Sequence, residues 1–294
     1  MTEPLAHLKD WIGRTQDTEE TIWVERVANM AATLDLEAVP AAGDALPPGW
    51  HWLFFNGFVR PGKIGEDGHA QRGGFLPPVP LPRRMWAGGR LSFPGTLKVG
   101  EPAKRHSEIL SVEPKQGRSG NLVFVVVRHR ISGASGLAVE EEHDIVYREA
   151  PTPGAPAAKP QAAPADGVWK QTIKPDPVLL FRYSALTHNG HRIHYDHPYV
   201  TKVEGYPSII VHGPLTSTLL LELLRKSAPQ RRLAKYSFRA MAPLFDTAAF
   251  TVNGRPEADG KTVKLWATGP AGELAMEGTA TLAGEVGQDQ SPKI

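Results

Sequence analysis

Cysteine is absent from the 294-residue chain, which excludes disulfides, thiolate nucleophiles and cysteine-ligated metals. Excess charge is absent too. Lys and Arg number 33 against 31 Asp and Glu, a formal net charge of +2, so no broad basic face is available for nucleic acid and any anion site must be local. Long apolar runs are also missing: Leu219-Leu-Leu-Glu-Leu-Leu224 is interrupted by charge far short of the roughly 20 residues a membrane span needs. The start, Met1-Thr-Glu-Pro-Leu-Ala-His7, has neither the basic nor the apolar stretch of a secretory signal. These absences point to a cytoplasmic protein without a nucleic-acid or membrane partner. What is present is 41% hydrophobic residues, enough to build substantial cores.

Residues 150–167 are mostly Ala and Pro, with little to bury and several positions locked toward extended geometry. They read as a linker between a first half, 1–149, and a second half, 168–294. Before the linker, the β-branched run Gly120–Arg130 and the segment Ala138–Tyr147 flank the turn Ser132-Gly-Ala-Ser-Gly136, which predicts an antiparallel hairpin. After it the same order returns, with Lys261–Thr268, the turn Gly269-Pro-Ala-Gly272 and Glu273–Leu282. Arg90-Leu-Ser-Phe-Pro94 likewise parallels Lys235-Tyr-Ser-Phe-Arg239, at an offset of about 145 residues. This self-similarity predicts two copies of one α+β unit rather than a single large sheet.

The halves differ where a helix is expected. In the second, His212–Lys226 has Pro214 at a helix-start position and Arg225 and Lys226 at the end, where cations suit the macrodipole. Its leucines leave little polar face, so the helix should be buried and wrapped by a sheet. In the first, Thr21–Leu34 reads helical, but residues 60–84 are a Gly/Pro-rich excursion. The first half therefore reads as an eroded copy that shapes a pocket while the second carries the chemistry.

Five of the eleven histidines lie between positions 188 and 212. Imidazole titrates near pH ~6.5 and can move a proton at working pH without a large environmental shift. The loop Asn189-Gly-His-Arg-Ile-His194 and the helix beginning near Gly213 make a specific arrangement available. Free first-turn amides hold a carbonyl oxygen that becomes negative, and an imidazole beside that carbonyl can add or remove water across a conjugated double bond. His194 is the candidate base. A solvated loop histidine is the usual alternative, and His188, His191, His194 and His197 at every third position also suggest a metal. Gly190 and Pro198 break the helix that would align those rings, so no metal is expected.

The segment Tyr183–Leu224 resembles the hydratase motif and hot-dog helix of MaoC-like (R)-specific enoyl-CoA hydratases. The chain as a whole resembles their double-hot-dog relatives, the itaconyl-CoA and mesaconyl-C4-CoA (3-methylfumaryl-CoA) hydratases and the mitochondrial 3-hydroxyacyl-thioester dehydratases. Trp11-Ile-Gly-Arg-Thr15 and Arg84-Met-Trp-Ala-Gly-Gly89 look like the N-terminal dehydratase-like unit, and Tyr206–Pro214 looks like the lead-in to the C-terminal helix. The resemblance implies an α+β double hot-dog, two antiparallel sheets each around a helix, acting as a hydro-lyase on an acyl-CoA without cofactor or metal. In that family an Asp and a His separated by four residues activate water while helix-start amides polarise the thioester. His194 matches the histidine and Gly213 the amide, but Asn189 stands at the aspartate position.

An amide cannot accept a proton as a carboxylate does, so Asn189 is expected to orient water, or Asp196 to supply the charge by pairing with an imidazole. Coenzyme A phosphates call for Arg192, Arg239 or the Arg83-Arg84 pair near the pocket mouth. A dicarboxylic acyl group calls for one more cation, with Arg192 and Arg60 as candidates. His212 and Tyr195 are further substrate-contact candidates. The favoured reaction is reversible hydration of a branched C5 dicarboxylyl-CoA to citramalyl-CoA. A fatty-acyl 3-hydroxyacyl-thioester dehydratase, a hot-dog thioesterase and a non-catalytic acyl-CoA-binding subunit are the alternatives, and a homo-oligomer stays open.

Overall fold

A computed structural model describes residues 3–117, 120–150 and 160–285. Ten strands form it: β1 (Thr15–Thr21), β2 (Arg83–Ser92), β3 (Pro102–Gly117), β4 (Gly120–Gly133), β5 (Gly136–Arg148), β6 (Trp169–Ile173), β7 (Arg231–Ala240), β8 (Phe250–Pro256), β9 (Thr262–Thr268) and β10 (Leu274–Glu285). Along the sheet they run β1-β3-β4-β5-β2-β7-β10-β9-β8-β6. Each half thus has one strand order, β1-β3-β4-β5-β2 in the first and β6-β8-β9-β10-β7 in the second, so the repeat read from the sequence is a repeat of topology. The halves also join. β2 pairs antiparallel with β7 from Gly88↔Arg239 to Ser92↔Lys235, so two units and one large sheet coexist where the sequence reading set them against each other.

That seam depends on glycine. A Cβ at Gly88 would lie 2.5 Å from the Phe238 carbonyl oxygen, and one at Gly89 would lie 3.0 Å from the Glu142 carbonyl oxygen, so the backbones meet where side chains are missing. Away from the seam the strands follow period-2 burial. In β4, Val123, Val125, Val127, His129 and Ile131 face inward and their neighbours outward.

Among the described residues four α-helices complete the fold: α1 (Val24–Thr33), α2 (Pro177–Leu186), α3 (His197–Lys202) and α4 (Gly213–Ser227). α1 and α2 follow β1 and β6 and pack on each other. α4 is the helix expected from the leucine run. Pro214 sits in its first turn, and every residue from Leu215 to Leu224 is buried against the strands of the second half. Its one buried charge is satisfied, since Trp50 Nε1 donates to Glu222 Oε1 at 3.0 Å and Arg225 holds the other oxygen at 2.6 Å. In the first half, the place of α4 is taken by a single 3-10 turn, Trp50–Leu53, and the excursion that follows it. Trp50, Leu53 and Phe54 join the α4 leucines in one core that spans both halves.

Of the expected linker, residues 151–159 lie outside the described residues. The remainder is strapped to the second half, where Ala163 N donates to Gly272 O at 2.9 Å and Leu274 N to Gln161 O at 2.7 Å.

Candidate active site

The motif loop begins where α2 ends. His188 adopts a left-handed backbone (φ 50), which turns the chain back so that the Asn189 amide donates to Ser184 O. Asn189 Oδ1 then accepts from the His191 amide at 3.0 Å, a local turn that sets the loop's direction. A 3-10 turn, Arg192–His194, follows, and Asp196 caps α3 by accepting from Tyr199 N at 3.1 Å.

His194 is buried and its tautomer is fixed. Its Nδ1 lies 2.8 Å from the Ile210 carbonyl oxygen, which can only accept, so Nδ1 carries the proton and Nε2 keeps its lone pair. Burial pushes this imidazole down to about 4, against the Ile210 hydrogen bond, so it is a neutral base at neutral pH. The ring stacks on His212 with centroids 3.8 Å apart, and His212 Nε2 is 2.8 Å from Ser184 Oγ. Burial, reinforced by the neighbouring imidazoles, holds His212 well below its ordinary value, so the stack does not bury two cations. His212 also immediately precedes Gly213. One stacking contact therefore sets the base beside the start of α4, where first-turn amides lack helical acceptors.

His194, Asn189 and Gly213 line one cavity of about 640 Å³ whose opposite wall comes from the first half. That wall carries a polar cluster the sequence reading missed. Glu141, on β5, is 2% exposed, and its Oε2 accepts from Trp52 Nε1 at 2.9 Å and lies 3.0 Å from His51 Nε2. His143 Nε2 stands 2.9 Å from Oε1, an ion-pair contact without hydrogen-bond alignment. Burial alone would raise the Glu141 carboxyl, yet the charges of His143 and His51 and the His51 hydrogen bond hold it well below the usual carboxylate range. A signal for Glu141 was present, because it lies in phase with the inward-facing Val139 two residues earlier. His69, from the first-half excursion, lines the cavity too and was equally missed.

Of the predicted substrate contacts, Arg84 lines the cavity. His212 lies behind His194 and braces it. Arg192 does not line the cavity, since its guanidinium binds Asp196 at 2.7 Å and the Glu66 carbonyl at 3.0 Å and covers the Tyr199 ring. That bridge also corrects the reading of Asp196, which pairs with Arg192 and caps a helix instead of meeting an imidazole. Tyr195 is exposed and its hydroxyl donates to Gly190 O at 2.9 Å. Arg60 is exposed at the edge of the excursion, Arg239 pairs with Glu277 at 2.9 Å outside the cavity, and Arg83 pairs with Glu204 at 3.2 Å. The cations in the cavity wall are instead Arg84, Arg105 and Arg148. Two trios, Asp67/His69/His191 and His129/Glu141/His143, bring donor atoms within 4.8 Å of one another, the spacing of a metal site. In each trio the carboxylate is already engaged by an imidazole, which accounts for the spacing.

The profile of hydroxyacyl-thioester dehydratase type 2 matches residues 49–246. Over 278 residues the chain is 46% identical to the mesaconyl-C(4)-CoA hydratase of Chloroflexus aurantiacus, covering 93% of this chain and 97% of that one. It is 28% identical over 226 residues to the mitochondrial hydroxyacyl-thioester dehydratase type 2 of Schizosaccharomyces pombe, covering 68% and 75% of the two chains. A Mycobacterium tuberculosis protein solved as a double hot-dog fold superposes with a TM-score of 0.56 at 15% identity, over 92% of this chain and 96% of that one. The mirrored strand orders above are therefore the two hot dogs of one double hot-dog. By its sequence and its architecture alike, the chain belongs to the hydroxyacyl-thioester dehydratase type 2 family and is an enzyme of the hydratase/dehydratase type.

Proposed function

We propose that the protein reversibly hydrates a branched C5 dicarboxylyl-CoA, mesaconyl-C4-CoA or itaconyl-CoA, to citramalyl-CoA. In this reading the second half, 168–294, carries the chemistry and the first, 1–149, shapes the pocket. The thioester oxygen accepts from the Gly213 amide, His194 Nε2 takes a proton from water, and the oxygen of that water bonds to the β-carbon. Asn189, at the cavity wall, orients the water. Neither metal nor cofactor enters this chemistry, and coenzyme A comes with the substrate. The reading also places the enzyme in the cytoplasm; no helix among the described residues is long and apolar enough to cross a membrane.

The observation that carries the reaction class is the His194 imidazole, its tautomer fixed by Ile210, stacked next to the start of α4. The substrate class is supported by the cavity wall and by the 46% identity to the Chloroflexus hydratase. Among the described residues, Arg84, Arg105 and Arg148 form no ion pair, and the buried Nε atoms of Arg105 and Arg148 have no hydrogen-bond partner. A half-buried cation without an ion-pair partner is costly, and a second carboxylate on the acyl group would supply one. A fatty acyl chain would not.

The test is a panel of crotonyl-, itaconyl- and mesaconyl-C4-CoA, followed by chromatographic detection of the hydroxyacyl-CoA product and by release of free thiol. Faster hydration of a dicarboxylyl substrate than of crotonyl-CoA supports the reading. Preference for crotonyl-CoA assigns a fatty-acyl dehydratase instead, and thiol release without hydration assigns a thioesterase.

A further inference from the structure

Hydration moves two protons, one away from water and one onto the α-carbon. His194 accounts for the first. Asn189 cannot supply the second, being an amide whose oxygen already accepts from the His191 backbone, and Asp196 is committed to Arg192 and to the cap of α3. The first half brings another candidate to the same place.

The segment 66–69 of the excursion docks on the motif loop backbone to backbone. Arg192 N donates to Asp67 O at 2.9 Å, and the Arg192 guanidinium donates to Glu66 O at 3.0 Å. Gly68 and Gly190 cross at this point. Gly68 has a left-handed backbone (φ 88), a Cβ on it would collide with the Gly190 carbonyl, and a Cβ on Gly190 would lie 2.7 Å from Gly68 O. The crossing delivers a His–Asp pair to the motif. Asp67 Oδ2 lies 3.1 Å from His69 Nδ1 and Asp67 Oδ1 accepts from the His69 amide at 3.0 Å. At neutral pH the carboxylate only accepts, so Nδ1 holds a proton and Nε2 is left for proton transfer. The His69 ring is 4.1 Å from His191, and His191 is 5.4 Å from His194.

We propose that His69, positioned by Asp67, is the second proton-transfer group of this site, giving a proton to the α-carbon in hydration and removing it in dehydration. The proposal rests on the hydratase reading above. In the forward direction an O–H bond of water breaks and its proton goes to His194 Nε2. The oxygen bonds to the β-carbon, and the π electrons move onto the thioester oxygen at the Gly213 amide. The enolate then collapses as the α-carbon takes the proton from protonated His69 Nε2. Exchange with solvent returns a proton from His194 to His69, so none is consumed. Burial holds His69 below its ordinary value, but Asp67 opposes it through a direct hydrogen bond; the same carboxylate acts on His191 by charge alone, and His194 has none.

The experiment compares wild type with His69→Gln and Asp67→Asn, using the hydroxyacyl-CoA product with and without deuterium at the α-carbon, in the dehydration direction. Removing a general acid–base group should lower kcat by about 10²–10⁴-fold for His69→Gln with KM nearly unchanged. Because α-proton removal becomes the slow step, the α-deuterium isotope effect should rise. Asp67→Asn, which keeps the size of the side chain, should show a smaller fall in kcat with the isotope effect moving the same way, and it serves if His69→Gln does not fold. A merely structural brace would raise KM or lower Tm and leave the isotope effect where it was, which overturns the proposal, as does an unchanged kcat. If wild type hydrates no member of the enoyl-CoA panel, the hydratase reading fails. If wild type is active and His69→Gln matches it, only the role of His69 fails.

Discussion

His194 can act as a base because burial and one backbone carbonyl decide its state before substrate arrives. The same burial has a cost that pH reveals. His194, at about 4, and His191, at about 2, are held below the ordinary value of about 6.5 that applies once the chain unfolds. As pH falls below about 6.5 the unfolded chain binds these protons first, so stability is full above that pH and drains as pH drops through about 4, by about 1.4 kcal/mol per pH unit for each group. Tm measured from pH 8 to pH 4 should be level above about 6.5 and fall steadily below it; a level Tm down to pH 4.5 would mean these rings are solvated. Arg105 supports a second prediction at this scale. If its half-buried guanidinium receives the acyl carboxylate, Arg105→Met should raise KM for the dicarboxylyl-CoA by about 10–100-fold, the worth of a charged hydrogen bond, and leave crotonyl-CoA kinetics unchanged. Steady-state kinetics on both substrates checks the difference.

At the scale of elements, α4 was legible because its signals are local: a proline in the first turn, cations in the last, and leucines on nearly every face. The hairpin strands β4, β5, β9 and β10 were legible for a similar reason, as runs flanking glycine-rich turns. β1 was not, because Thr15-Gln-Asp-Thr-Glu-Glu-Thr21 is an edge strand of polar residues held by its pairing with β3 rather than by an apolar face. The β2–β7 seam was hidden for another reason: glycines mark a close approach, but only the partner strand shows what approaches. The seam makes its own prediction. Gly88→Ala forces a methyl against Phe238 O and should cost about 1–3 kcal/mol of stability, read as a lowered Tm, whereas alanine at the unobstructed Gly57 should cost far less.

Across the whole molecule, the motif loop and the helix start could be found in sequence because both lie within one stretch, 189–213. The opposite wall of the cavity could not, because His51, His69, Arg105 and Glu141 are scattered over the first half and converge only when β2 pairs with β7 and the excursion crosses Gly190. The guesses at Arg192 and Arg60 failed for the same reason. Arg192 was offered for its place in the motif and Arg60 for its place in the excursion, while the fold spends Arg192 on anchoring the loop and leaves Arg60 in solvent. Where the second half has α4, the first has a 3-10 turn and the excursion, and residues of both line the cavity. The most direct test of this account is the rate of mesaconyl-C4-CoA hydration by wild type and by His194→Ala, with circular dichroism confirming that both are folded. Active wild type and a variant slower by about 10²–10⁴-fold are expected; a folded His194→Ala that hydrates as fast as wild type would contradict it.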